Sequence, residues 1–213
     1  ATAGVTIVAH PLVQHKLTLL RDKLTPKKVF KELVDEIATL MAYEATANLA
    51  LEPCPVETPL EVTTGARVAG EKLVLVPILR AGLGMLPAAM ELLPDADIAV
   101  VGVQRDEHTH EPSEYVAKLP THLNGRHCLV LDPMLATGGS LAYAIEVLRR
   151  RGASGPVVVV SVLSAPEGIE YLSTHAPGDV SLVTASIDSH LNEHKFIVPG
   201  LGDAGDRQFG RPG

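Results

Sequence analysis

The sequence predicts an α/β protein: a central, mostly parallel β-sheet flanked by helices. Short, almost unbroken apolar runs occupy residues 73–79, 98–103, 127–131, 157–163 and 180–185. Strands buried on both faces read this way, because neither face meets water. Helical segments alternate with the runs: from the Ala81-Gly82-Leu83-Gly84 turn to about residue 93, from Leu141 to about residue 151, and over Pro166–His175. Strand–helix alternation is the mark of a parallel sheet. Loops rich in Gly, Ser and Arg follow directly after several runs. Ligands of such sheets bind there, beyond the strand carboxyl ends.

Residues 11–22 form the first regular segment. Thr25 and Pro26 then mark a helix start, with a hydroxyl at the N-cap and Pro at the first helical position, where its missing N–H costs nothing. Phe30, Leu33, Val34, Ile37, Leu40 and Met41 recur at helical spacing, giving one buried face to about residue 48. Pro53, Pro55 and Pro59 end this helix and mark a connection. The polar stretch 105–119 suits a protruding hairpin arm, and the glycine-rich stretch 186–213 a hood over the ligand edge. The organisation expected is one domain over 1–213, with a core at about 60–185 and the N-terminal helices of 11–50 joining the C-terminal segment in the hood.

Composition narrows the function. A chain of 213 residues, 46% hydrophobic, has material for one well-buried core. Its 3% aromatic content and absence of Trp weaken any reading based on stacking platforms for bases or sugars. A net charge of -7 and a pI near 5.7 argue against non-specific nucleic-acid binding, which needs a basic footprint. Cys54 and Cys128 make no disulfide framework, and Cys128, inside an apolar run, is expected in the core. Residues 1–10 lack a signal-peptide pattern, and no apolar run approaches the roughly 20 residues of a membrane helix. The expectation is a cytoplasmic protein without membrane or nucleic-acid partners.

The most informative segment is Asp132-Pro133-Met134-Leu135-Ala136-Thr137-Gly138-Gly139-Ser140, between an apolar run and a helix. A phosphate needs several donors converging on one point, and backbone N–H groups at a helix N-terminus supply them with the positive end of the helix dipole. Gly138 and Gly139 let the backbone approach, and Thr137 and Ser140 add hydroxyls. Asp132 repels phosphate but suits sugar hydroxyls or a metal-bound water. The bland alternative is a strand-to-helix turn with Ser140 as N-cap. A Walker A loop is excluded, since Gly139 stands where that pattern needs Lys.

This segment resembles the 5-phosphoribosyl-1-pyrophosphate (PRPP) loop of the type I phosphoribosyltransferases. Asp132-Pro133, in place of two adjacent acidic residues, resembles the uracil branch of that family. Pro77-Ile78-Leu79-Arg80-Ala81-Gly82-Leu83-Gly84 is similar to that branch's pyrophosphate loop, and Arg105-Asp106-Glu107 to its second pyrophosphate arginine. Superfamily members often hold a non-proline cis bond near the position of Arg80. His108 and His110 lack a third ligand and read as polar loop residues. Gly200-Leu201-Gly202-Asp203-Ala204-Gly205 spells a dinucleotide fingerprint but lies outside any βαβ unit. Within Phe196 to Arg207 it instead resembles the uracil-binding segment of the family. Further likeness lies in His10-Pro11-Leu12, in the stretch from Lys16 to Asp22, in Tyr43-Glu44-Ala45 and in Ala165-Pro166-Glu167-Gly168.

The resemblance implies a type I phosphoribosyltransferase fold and the reaction of uracil with PRPP to give UMP and pyrophosphate. It implies PRPP binding by Arg80, Arg105, Asp132, Pro133, Met134, Leu135, Ala136, Thr137, Gly138, Gly139, Ser140 and Asp203, and uracil binding by Ile197, Gly202, Asp203 and Ala204. Arg105 and Asp203 are the expected catalytic participants, Asp203 as the candidate for assisting departure of the uracil proton. Mg²⁺ is expected as a cofactor carried mainly on PRPP, with no protein metal ligands. A homodimer or higher homo-oligomer is expected, with GTP as an allosteric ligand known from some relatives. The competing class is a type I fold serving as an RNA-binding regulator of pyrimidine genes, which the acidic net charge disfavours. Salt-dependent RNA binding without UMP formation distinguishes it.

Overall fold

A computed structural model of the chain describes residues 4–105 and 112–211, with 104, 105 and 112–114 described by their backbone alone. The chain opens with β1 (Gly4–Ile7), α1 (Pro11–Arg21) and α2 (Lys27–Ala45). Next come β2 (Leu51–Glu57), β3 (Val62–Val68), β4 (Val74–Leu79), a 3₁₀ turn (Ala81–Gly84) and α3 (Leu86–Leu92). The strands β5 (Asp97–Ile98), β6 (Val100–Arg105), β7 (Pro112–Lys118), β8 (Cys128–Leu131) and β9 (Met134–Leu135) lead into α4 (Gly139–Arg150). After β10 (Val157–Ser164), α5 (Pro166–His175) and β11 (Val180–Ile187), the chain ends in β12 (His190–Leu191), β13 (Ile197–Val198) and α6 (Ala204–Phe209).

Among the described residues the main sheet has nine strands, ordered β1-β11-β10-β8-β4-β6-β7, with β5 beside β4 and β9 beside β10. Every pairing is parallel except β6 with β7. Alternate residues of each central strand serve different cores, as the two-residue period of a strand requires. Leu75, Leu129, Leu131, Val160 and Val162 pack with α1, α2 and α3. Val74, Val76, Ile78, Cys128, Val130 and Val159 pack with α4 and Leu172 of α5. These unbroken runs are therefore apolar because both faces are covered.

Several local expectations change. Helix α2 begins one residue later than expected, with Pro26 as its N-cap. The Thr25 hydroxyl is drawn away from the cap, donating to the Leu19 carbonyl at 2.6 Å. The proline-rich stretch after α2 is no bare connection: β2 and β3 form a separate antiparallel hairpin, with Leu51 opposite Val68 and Glu57 opposite Val62. Pro53 and Pro55 are two apart, so both missing N–H groups fall on the edge of β2 away from β3, where a ladder tolerates them. Where a hairpin arm is expected, β6 and β7 do pair antiparallel at the end of the main sheet, with a register irregularity between Gly102 and Val103; residues 106–111 lie outside the described residues. Strand β1 has no apolar run to mark it, since it pairs only with β11 and all four residues are exposed.

Candidate active site

The segment after β8 is fixed by its neighbours before any ligand is considered. Asp132 N–H donates to Val160 O at 3.2 Å, and Ser161 Oγ donates to Asp132 O at 2.7 Å. Leu163 N–H reaches Pro133 O at 3.0 Å and Ala165 N–H reaches Leu135 O at 2.8 Å, so β10 holds the first half of the loop. The second half is held by α5. Gly138 is the N-cap of α4 with φ 81°, and a Cβ there would meet Gly168 O at 2.7 Å. Reciprocally, a Cβ on Gly168 would meet Ala136 O at 2.3 Å. Gly138 is thus required by backbone conformation and packing. Gly139 differs: a Cβ there meets only Thr137 Oγ1 at 3.9 Å, so no protein atom demands its bareness. Ser140 lies inside α4 and is not its cap.

This loop and the turn 194–195 enclose a cavity of about 360 Å³, lined by Asp132, Ala136, Thr137, Gly138, Ser140 and Lys195 among others. A second cavity of about 270 Å³ shares Met134, Ala136, His194 and Lys195 with the first. Its other walls include Ala81 of the 3₁₀ turn and Ile197, Gly202, Asp203 and Ala204 of the C-terminal segment. The fold therefore brings sequence-predicted residues from three distant segments to one edge of the sheet. A larger depression of about 760 Å³ lies at the opposite edge beside Asp97, Lys118 and Arg151, away from these loops.

Arg80 follows β4, and the Leu79–Arg80 peptide bond is cis. The 3₁₀ turn after it presses on the end of β8, where a Cβ on Gly82 would meet Leu131 O at 2.2 Å. The Arg80 guanidinium is half-exposed and contacts Asp206 at 3.3 Å and Gly210 O at 3.5 Å. Asp203 caps α6, its carboxylate accepting Asp206 N–H at 2.8 Å. Arg105 ends β6 opposite Pro112, at the same edge of the sheet. Its side chain, and all of Asp106, Glu107, His108 and His110, lie outside the described residues.

The uracil phosphoribosyltransferase family model matches residues 7–211. The chain belongs to that family. It is 52% identical over 204 residues to the uracil phosphoribosyltransferase of Streptococcus sanguinis, covering 96% of this chain and 97% of that one. It is also 52% identical over 209 residues to that of Cutibacterium acnes, covering 97% and 98% respectively. A solved protein from Aquifex aeolicus superposes with a TM-score of 0.89 at 33% identity, over 97% of this chain and 98% of that one. A Bacillus anthracis hypoxanthine-guanine phosphoribosyltransferase, 12% identical, superposes with a TM-score of 0.51 over 76% of this chain and 80% of that one. That likeness is of fold alone.

In this uracil phosphoribosyltransferase family member the electrostatics centre on Asp132. Burial pushes its carboxyl up to about 7; the Met134 N–H, at 3.3 Å, opposes the shift and the Asp203 charge adds to it. A carboxyl poised there can be met by a hydroxyl or a cation at modest electrostatic cost.

Sequence reasoning missed the groups that hold the C-terminal segment in place. Arg21 grips Asp188 at two points, 2.7 and 2.6 Å, and donates to Gly200 O at 2.8 Å. Asp188 in turn accepts Gly200 N–H at 2.9 Å, so the turn before Gly202 is fastened on both sides. Burial alone would raise the Asp188 carboxyl, but Arg21, Gly200 and Ser186 together hold it below the usual carboxylate range. Arg207 donates to Leu20 O and Leu201 O at 2.8 Å and to Asp22 O at 2.6 Å, lying over the Phe30 ring at 4.3 Å. Gln208, fully buried, donates both to Ala81 O at 3.2 Å and to Ala204 O at 3.0 Å, bridging the 3₁₀ turn and α6. Glu167 of α5 accepts Leu191 N–H at 2.9 Å. The Arg21–Asp188 partners lie 167 residues apart, and no local pattern marks either.

Proposed function

We propose that the chain transfers the phosphoribosyl group of PRPP to uracil, yielding UMP and pyrophosphate. The observation that carries this reading is the contiguity of the two cavities, which share Met134, Ala136, His194 and Lys195. One has the size and donors for a ribose 5-phosphate, the other for a small planar base, and a bond between them joins the two. In this reading the N-terminus of α4 with Thr137, Gly138, Gly139 and Ser140 receives the 5-phosphate, because backbone N–H groups at a helix start and the helix dipole favour an anion there. Pro133, Met134, Leu135 and Ala136 form the rest of the cradle, and Asp132 accepts the ribose hydroxyls. Ile197, Gly202, Asp203 and Ala204 surround the base, whose polar edge is read by main-chain groups left bare by glycine.

Reaction requires the C1–O bond of PRPP to break as the bond from C1 to uracil N1 forms. Positive charge develops on the ribose and negative charge on the departing pyrophosphate. Arg80 and Arg105 are the cations assigned to the leaving group, in the arrangement that stabilises charge only as it appears. The N1 proton leaves uracil, and Asp203, within the base cavity, is assigned to assist it. Holding C1 against N1 supplies much of the acceleration, since positioning replaces a bimolecular encounter. A Mg²⁺ ion carried on PRPP would supply neutralisation of pyrophosphate charge. Asp132 and Asp203, whose charges disfavour each other, are the carboxylates that would meet its water shell. Incubating the protein with uracil, PRPP and Mg²⁺ is expected to yield UMP and pyrophosphate in equal amounts; pyrophosphate without UMP, or neither, overturns the proposal.

A further inference from the structure

A phosphate dianion held by backbone donors beside a carboxylate is stabilised further by a nearby cation. Here Asp132 lines the cradle cavity, and among the described residues around it only Lys195 carries a permanent positive charge. Lys195, with His194, comes from the turn between β12 and β13, whereas the rest of the cradle comes from 132–141. The turn is rigidly made. Asn192 Oδ1 accepts the N–H groups of His194 at 3.0 Å and Phe196 at 2.9 Å, and Lys195 N–H returns to Asn192 O at 3.0 Å. This geometry forces Lys195 to φ 65°, and among the described residues it is the one non-glycine with positive φ. Such a position favours glycine, and a lysine there keeps a side chain at a backbone cost. Among the described residues no hydrogen bond or ion pair engages its ammonium; the Glu167 carboxyl is held down chiefly by the Leu191 N–H, with Lys195 adding a smaller share.

We infer that Lys195 closes the phosphate cradle from above, pairing its ammonium with the 5-phosphate that the 137–140 loop holds from below. This deepens the proposed function and rests on it. A lysine suits the task as a compact point charge on a flexible stem. It would distinguish the 5-phosphate end of the substrate from the pyrophosphate end, which the arginines are assigned to hold.

The test is Lys195→Gly beside Lys195→Arg in the full chain. Removing the cation is expected to raise the Michaelis constant for PRPP and the inhibition constant of UMP by ~10-fold, the scale of one charge-assisted contact. The Michaelis constant for uracil and the inhibition constant of pyrophosphate, which carry no 5-phosphate, stay within about twofold. Lys195→Gly is also expected to melt higher than the parent, because glycine relieves the left-handed backbone, and Lys195→Arg is expected to keep tight UMP binding. A glycine variant with parental constants for PRPP and UMP overturns the inference, as does an equal rise for UMP and pyrophosphate. Thermal stabilisation by ribose 5-phosphate supplies a readout independent of turnover. If the parent makes no UMP, the proposed function fails, while loss of that stabilisation in Lys195→Gly still supports the cation's role.

Discussion

Asp132 is the residue whose chemistry is most exposed to test. Its carboxyl ordinarily ionises near 3.8 but is raised to about 7 by burial at the loop. The folded protein therefore retains a proton that the unfolded chain has released between these values. The stabilisation this gives is complete below the ordinary pKa and is lost as pH rises through about 7. Asn cannot ionise, so Asp132→Asn is expected to gain in melting temperature over the parent as pH goes from about 5 to about 8, by several degrees at the upper end. UMP formation by the same variant is expected to fall at least ~10-fold, because a neutral amide accepts ribose hydroxyls less strongly. A melting difference that ignores pH contradicts the raised pKa. The loop was legible from sequence because its chemistry is local: Asp132, Thr137, Gly138 and Ser140 lie within one strand-to-helix turn. The role of Gly139 was less so. Sequence treats it like Gly138, whereas only Gly138 adopts a left-handed φ and packs against Gly168.

At the scale of elements, the C-terminal segment is only as well placed as its fastening to α1. Asp188→Ala strands the Arg21 guanidinium and leaves Gly200 N–H without its acceptor. The expected loss is ~2–3 kcal/mol; a fully buried pair would lose more, but the Arg21 side chain is 25% exposed, which moderates the cost. Because the Asp188 carboxyl is held below its ordinary pKa, the stability it confers is present above that value and lost as pH falls through the lowered one. If the clamp sets the turn that walls the base cavity, the Michaelis constant for uracil rises more than that for PRPP. Equal rises, or none in a variant that has lost stability, would detach the clamp from the base site. Sequence could not reveal this element-level connection, because its pattern exists only after β11 has brought Asp188 beside α1. The β2–β3 hairpin escaped for the opposite reason. Its prolines are a strong local signal for a break, and only the alternation of ladder positions reconciles them with a strand.

For the whole molecule, the central sheet was the easiest feature to read. Strands covered on both faces must be apolar throughout, and that constraint survives any detail of the helices. The edges were harder, since β1 is exposed and short and β7 runs against its neighbour. What the fold contributes to function is convergence. It carries the turn after β4, the loop after β8 and the C-terminal segment to one edge, where two small cavities lie side by side with four lining residues in common. The central claim is that one cavity takes ribose 5-phosphate and the other takes uracil. It is tested most directly by offering uracil, cytosine, hypoxanthine and orotate in parallel, each with PRPP and Mg²⁺, and identifying the nucleotide formed. The account predicts UMP from uracil and no comparable product from the other three. A purine nucleotide, or orotidine monophosphate formed as readily as UMP, would contradict it.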